Sequence, residues 1–363
     1  MGPPSKSATL AQRGQLLAAS AGDQAAFERA VEAHRPALQA HCYRMLGSLH
    51  DAEDALQETL LRAWRALPRF QSRSSLWTWL HRIATNVCLD VIGRRPKRVL
   101  PIDYGPPSGA GEAEAGEPLG KPMWIEPFPD EQVGLEGGYA SPAARYEQRE
   151  AVELAFIAAL QHLPPRQRAV LILREVLGFS AKEVAESLDT TVPGVNAALQ
   201  RARKAVDERL PEQCQQETLR SLGDERIRDL VERFSSAFER GDVDAILALI
   251  AEDATFAMPP YPTWRSGRDA IADSWLMPGG PGPRLRYAPT RANGQLALGT
   301  YLLDSEAGVY LPLALDVLTL RAGLITDVTA FRTPELFPRF GLPDESRCSA
   351  TARDRSSGPR SRG

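Results

Sequence analysis

Residues 42–90 read CYRMLGSLHDAEDALQETLLRAWRALPRFQSRSSLWTWLHRIATNVCLD, and two helical periodicities in this stretch set the architecture of the amino-terminal part. Ala52, Leu56, Leu60 and Ala63 recur on one helical face. Asp54, Gln57, Glu58 and Leu61 share a second face at i, i+3, i+4 and i+7. Spacing alone favours a solvated polar face for these four; a leucine among acids is the local hint of a docking surface. The next helix buries Leu76, Leu80, Ile83 and Val87 and carries Arg82 and Asn86 as i, i+4 neighbours off that stripe. Such a pair suits phosphate and base-edge hydrogen bonds. The loop between the two helices holds Phe70 and Arg73, and Ser74 or Ser75 is placed to cap the second helix. Aromatics interleaved with arginines suit unstacked bases, at about 1–3 kcal/mol per stacked base. Trp79 reads as core; Trp77 fits core and base stacking equally.

Over the whole chain, 363 residues allow two or three domains. No apolar run approaches the roughly 20 residues of a membrane helix, and the first fifteen residues lack the apolar core of a secretory signal. Cys42, Cys88, Cys214 and Cys348 stand far apart, so neither a disulfide framework nor a zinc site is expected, and a cytoplasmic setting fits. No pattern asks for a metal or another cofactor. The net charge of −3 hides an uneven distribution. Residues 22–98 hold 12 Lys+Arg against 8 Asp+Glu, residues 99–150 hold 3 against 10, and residues 151–210 hold 8 against 7. The chain divides into a mobile start (1–21), a helical block (22–97), an acidic Pro/Gly-rich linker (98–143), a second helical block (144–212), an α+β region (222–340) and a disordered tail (341–363). The linker contains an aromatic island, Trp124–Asp130, which argues for docking of that part.

The second helical block has helix-turn-helix spacing. A helix over Ser180–Leu188 is followed by Asp189-Thr190 and a helix over Val192–Arg209. Ala185 is small enough for a close crossing, Val195 points inward, and Asp189 tolerates a left-handed turn. Thr191 can cap the second helix, with Pro193 in its first turn. Thr191, Asn196, Gln200, Arg201, Arg203 and Lys204 are the candidate DNA contacts. The basic ones come late in the helix and suit phosphates better than bases.

The carboxy-terminal region opens with an amphipathic helix, Asp224–Arg240, turning Ile227, Leu230, Val231, Phe234 and Phe238 inward. A helix over Val243–Ile250, a strand over Ala254–Met258, a helix over Asp269–Met277 and three or four strands up to Phe331 come next, with turns at Asn293-Gly294 and Ala322-Gly323. Tyr261, Trp264, Trp275, Tyr310 and Asp316 are candidate pocket residues, although the aromatics serve a core as well. All five histidines precede residue 163, and Asp304 and Asp316 are read as the only carboxylates in the later strands, so no catalytic residue is assigned.

The quoted run resembles domain 2 of bacterial extracytoplasmic-function sigma factors, and ALQRARKAVDERL with the preceding helix-turn-helix resembles their domain 4. FERGDVDAILALIAEDATFAMPPYPTWRSGRDAI is similar to SnoaL-like domains of the nuclear-transport-factor-like α+β cone fold. The resemblance implies two all-α sigma domains followed by a cone, and a factor that brings core RNA polymerase to promoter DNA. By that likeness Asp54, Gln57, Glu58 and Leu61 contact the β′ clamp helices. Phe70, Arg73, Trp77, Arg82 and Asn86 read and open the −10 element. The domain 4 residues bind the −35 element beside the β subunit. The cone is expected to modulate activity in cis, through contact with the sigma domains; a separate anti-sigma factor stays open. Two alternatives remain, a polymerase-independent helix-turn-helix regulator and a SnoaL-like enzyme fused to a DNA-binding region. Tight autonomous DNA binders make about 6–10 phosphate contacts, more than these mildly basic blocks supply, so promoter binding is expected to need polymerase. Promoter elements about 25 base pairs apart are separated by roughly 85 Å, which requires the linker to run extended.

Overall fold

The computed structural model describes residues 18–19, 21–70, 74–109, 124–133, 150–275, 281–344 and 346–347. The first helical unit comprises α1 (Gln24–Glu32), α2 (Arg35–Leu46), α3 (Leu49–Ala66) and α4 (Leu76–Ile92). Ser48 caps α3 by accepting from the Asp51 N–H, and Ser75 caps α4 by accepting from the Thr78 N–H at 3.0 Å. Gly47, with φ +69, ends α2 in the left-handed conformation. The apolar stripes of α3 and α4 close on Leu38 and Met45 of α2.

After the one-turn helix α5 (Pro101–Tyr104) and the buried segment 124–129 comes the second helical unit. It contains α6 (Leu154–Gln161), α7 (Pro165–Leu171) extended by a π-helical turn over Ile172–Val176, α8 (Ala181–Ser187) and α9 (Val192–Asp207). Ser180 and Glu183 form a reciprocal capping box on α8. Asp189 takes φ +48 in the turn, Thr191 accepts from the Gly194 N–H at 3.2 Å, and Val195 is fully buried.

The third unit is α10 (Gln215–Leu222), α11 (Asp224–Arg240), α12 (Val243–Leu247), α13 (Arg268–Trp275) and a sheet. The strands are β1 (Ile250–Ala257), β2 (Trp264–Ser266), β3 (Leu285–Ala292), β4 (Gln295–Asp304), β5 (Val309–Arg321), β6 (Leu324–Phe331) and β7 (Ser346–Arg347). Their order is β2-β1-β6-β5-β4-β3, with β7 on β5; only β1 and β6 run parallel. Strand alternation gives the sheet two apolar faces. Leu296, Leu298, Leu318 and Leu320 pack with Phe234, Phe238 and Trp275 of the helices. Ala297, Tyr301, Leu315 and Val317 turn the other way, into an apolar cluster continuous with both helical units.

Two sequence boundaries move. The helix from Val243 stops at Leu247 and β1 starts at Ile250, because Ile250 already pairs with Ile325 on β6. In the tail expected to be disordered from residue 341, the described residues 341–344 and 346–347 are ordered. Leu342 is buried, the Tyr301 hydroxyl donates to the Pro343 carbonyl at 3.0 Å, and Ser346 pairs with Tyr310. Residues 1–17 and 348–363, where the mobile start and the rest of the tail were expected, lie outside the described residues.

Candidate functional site

On α3, Asp54, Gln57 and Leu61 are exposed, Leu61 to 47%, on the face opposite the buried stripe. Glu58 is half-buried and accepts from Arg62 at 2.7 Å; Arg62 also reaches Asp90 of α4 at 3.0 Å. The structure thus brings these four residues together as one acidic face with a leucine in it.

The promoter-type residues gather around α4. Phe70 packs on Trp79, ring centres 4.7 Å apart, and Trp77 lies 3.9 Å from the His81 ring. Both tryptophans are half-buried, while Arg82 and Asn86 are exposed; Arg73 lies outside the described residues. Beneath them the imidazoles of His41 and His81 meet edge to face at 5.3 Å. Burial holds His41 well below the usual imidazole range and brings His81 down to about 3, against the bond to the Trp77 carbonyl. The sequence hid another juxtaposition here: Cys42 and Cys88, far apart in the chain, are buried side by side as free thiols, and burial raises the Cys88 thiol.

On α9, Asn196, Gln200, Arg201 and Lys204 are exposed. Thr191 is the helix cap, and Arg203 is held by Glu175 at 2.6 Å. The two units that carry the candidate DNA residues touch beside them. Arg82 lies 3.7 Å from Asp189 in the helix-turn-helix turn, and His81 meets Phe179 at 5.9 Å.

The strongest polar construction is one the sequence reading missed. Asn293, at the tip of the β3–β4 hairpin with φ +56, is fully buried. Its side-chain oxygen accepts from the Phe128 N–H at 2.8 Å. Its amide group donates to the Tyr43 hydroxyl at 2.8 Å and to the Val152 carbonyl at 2.7 Å. Tyr43 in turn donates to the Glu126 carbonyl at 2.8 Å and stacks on Phe128 at 4.4 Å. Gly294 donates to Asp130 at 2.6 Å and accepts from Gln216. The Glu153 carboxylate caps α10 by accepting from the Gln215 and Gln216 N–H groups, each at 3.0 Å. One turn therefore fastens the first unit, the linker and the second unit to the sheet. The Asn-Gly dipeptide was legible as a hairpin turn; its burial was not.

The linker island is core. Trp124 through Pro129 are buried. Glu126 accepts from Ser48 at 2.9 Å and from the His50 N–H at 3.2 Å, and Arg98 bridges the Trp124 carbonyl and Asp51, each at 2.6 Å.

The five candidate pocket residues do not line one cavity. Trp275 and Asp316 lie on the helix-covered side of the sheet, but Tyr310 joins the opposite cluster. Trp264 donates to the Gly105 carbonyl at 2.8 Å, and Tyr261 sits near Arg332 at 5.8 Å. A β-bulge at Leu313, where Thr300 pairs with Ala314 but Tyr301 with Pro312, and the short β2 separate them. Asp316 accepts from Thr300 at 2.7 Å, and burial raises its carboxyl to about 7. A further strand carboxylate, Asp327, was overlooked; it binds Thr255 and Thr329. Among the described residues no cluster of His, Cys, Asp and Glu is placed to hold a metal, and no helix is long and apolar enough to cross a membrane.

Comparison with known proteins gives these units their relatives. The family profile of Sigma-70 region 2 matches residues 30–98, that of Sigma-70 region 4 matches 147–206, and that of the SnoaL-like domain matches 231–328. The ECF RNA polymerase sigma factor SigG of Mycobacterium tuberculosis is 42% identical over 337 residues, 91% of this chain and 89% of the relative. The ECF sigma factor SigW of Bacillus subtilis is 29% identical over 189 residues, 52% of this chain and 91% of its own. In fold, the crystal structure of the extracytoplasmic function sigma factor SigJ of Mycobacterium tuberculosis superposes with a TM-score of 0.50 at 21% identity, covering 85% of this chain and 97% of that one. Two sigma regions in order, with a relative this similar along nearly its whole length, establish that the chain belongs to the ECF RNA polymerase sigma factors, with a SnoaL-like domain following the sigma regions.

Proposed function

We propose that this sigma factor, whose partners are core RNA polymerase and promoter DNA, is held by its SnoaL-like domain in a closed form that must open before both promoter elements are engaged. The observation that carries the reading is the contact between the two DNA-binding units, with Arg82 3.7 Å from Asp189. Elements some 25 base pairs apart are roughly 85 Å from each other along the duplex. A pair of modules in contact does not span that distance. The Asn293 hub is what resists opening, because it ties Tyr43, Phe128 and Val152 to the sheet.

The acidic face of α3 stays exposed in the closed form, so polymerase docking through Asp54, Gln57, Glu58 and Leu61 on the β′ clamp helices can precede opening. Opening then lets Trp77, Arg82 and Asn86 and the already exposed α9 separate far enough to reach the −10 and −35 elements together, with domain 4 beside the β subunit. Polymerase joins two weakly binding modules, which raises their combined affinity through effective concentration. The SnoaL-like domain acts as a structural regulator and not as a catalyst: its most perturbed acid, Asp316, bonds Thr300 inside the sheet and has no histidine near it. Work with polymerase implies a cytoplasmic setting, and a separate anti-sigma factor would compete for the same seam.

Core-polymerase pull-down and run-off transcription test the reading together. Asp54→Ala with Glu58→Ala should abolish capture and transcription. Asn86→Ala should keep capture and lose promoter opening. A double α3 variant that transcribes normally would sink the docking face; equal loss of capture and opening with Asn86→Ala would sink its promoter role.

A further inference from the structure

Where the chain leaving α4 meets the start of α7, the two sigma units enclose a half-open cleft of about 420 Å³, within the size range of small-molecule sites. Ile92, Leu163 and Pro164 form apolar walls, and Arg95, Lys97 and Arg168 line the same space. Its lining carboxylate, Asp51, is already engaged by Arg95 and by Arg98 at 2.6 Å. Nearby Asp103 faces His162 at 3.1 Å. Lys97 has only the His162 ring nitrogen, 2.8 Å away, and no carboxylate within ion-pair distance among the described residues. Arg168 is 4% exposed; it donates to the Met45 and Gln161 carbonyls and leaves its Nε–H without a partner among the described residues. Burial lowers the Lys97 ammonium against the opposing Asp103 charge, and the Arg209 and Arg168 charges add to the lowering.

Like charges that outnumber the carboxylates in a partly desolvated space repel one another, and an anion entering it relieves that cost. Guanidinium and ammonium donors around one opening match phosphate oxygens, and the proline and aliphatic walls suit a flat organic group beside them. A DNA duplex is too broad to enter.

We propose that this cleft binds a small polyphosphate anion, the di- or triphosphate group of a nucleotide or free pyrophosphate, and that its occupant ties sigma domains 2 and 4 together. The proposal rests on the closed arrangement proposed above. Calorimetric titration of the full chain with ATP, pyrophosphate and adenosine tests it. ATP and pyrophosphate should bind saturably and adenosine should not. Tighter binding of ATP than of pyrophosphate marks a nucleotide as the source, and the reverse order marks the free anion. Arg95→Gln with Lys97→Gln should weaken both by about tenfold or more, the worth of one charge-assisted contact. Lys97→Gln alone, at an exposed position, gives the same direction should the double variant fold poorly, and Lys97→Arg should restore binding. Absence of saturable heat, or affinity untouched by these variants, overturns the proposal. So does a single-stranded oligonucleotide that outcompetes ATP and shows the same variant sensitivity. Solution scattering separates the two failures: a compact chain of this length has a radius of gyration of about 21 Å. A compact chain without binding sinks the cleft alone, whereas an extended chain sinks the closed arrangement and the cleft with it.

Discussion

Replacing Asn293 by alanine should loosen the SnoaL-like domain from both sigma domains. Three side-chain hydrogen bonds disappear, to the Phe128 N–H, the Tyr43 hydroxyl and the Val152 carbonyl. Tyr43 keeps its bond to the Glu126 carbonyl, so the uncompensated groups are the Phe128 N–H and the Val152 carbonyl. Each buried group left without a partner costs about 1–3 kcal/mol, or about 2–6 kcal/mol for the two. Alanine in the left-handed conformation that Asn293 holds adds about 1–2 kcal/mol. Asn293→Gly removes the same hydrogen bonds without that strain, so the difference between the variants isolates the backbone contribution. Urea unfolding gives the stability change, and solution scattering reports whether the units separate. Run-off transcription from a polymerase-loaded template should rise when the closed form is released. Stability within about 0.5 kcal/mol of the parent, the scatter of ordinary surface substitutions, with unchanged compactness, would refute the hub.

Tyr43→Phe removes a buried hydroxyl with one donor and one acceptor bond; it should cost about 1–3 kcal/mol in urea titrations, and a neutral outcome would contradict the assigned network. Glu153→Gln takes the carboxylate from the start of α10, so unfolding should show a loss of about 1–2 kcal/mol that added salt does not abolish, since the pair is buried. Asp316 binds its proton more tightly folded than unfolded, so it lowers stability as pH rises from about 4 to about 7, by up to about 4 kcal/mol. Asp316→Asn should flatten that slope and be the more stable protein at pH 8; a variant with the parental pH profile would show that Asp316 is not the responsible group. His81 works in the opposite sense: it stays neutral when folded, and its contribution is lost as pH falls from about 6.5 towards about 3. His81→Phe should therefore reduce acid sensitivity in the helical units, read by circular dichroism between pH 3 and 6.5.

Much of the molecule was legible from local patterns. The α3 and α4 stripes, the Ser75 and Thr191 caps, the left-handed Asp189 and the Asn293-Gly294 turn all come from helical periodicity, capping chemistry and positive-φ preference, which act over a few residues. Exposure of Asp54, Gln57 and Leu61 follows once the opposite stripe is buried. Where distant segments meet was left to the tertiary structure. Nothing near Asn293 announces Tyr43, 250 positions earlier, and nothing in the acidic linker announces that Phe128 stacks on that same tyrosine. The candidate pocket dissolved for the same reason, since Tyr310 and Asp316, six residues apart on β5, would share a face by alternation, and the β-bulge at Leu313 sends them to opposite faces of the sheet. Periodicity states which side of an element is apolar. The choice of partner for that side depends on the packing and polar satisfaction of the whole chain, and there one buried amide, set in a shared apolar cluster, ties three units at a single point.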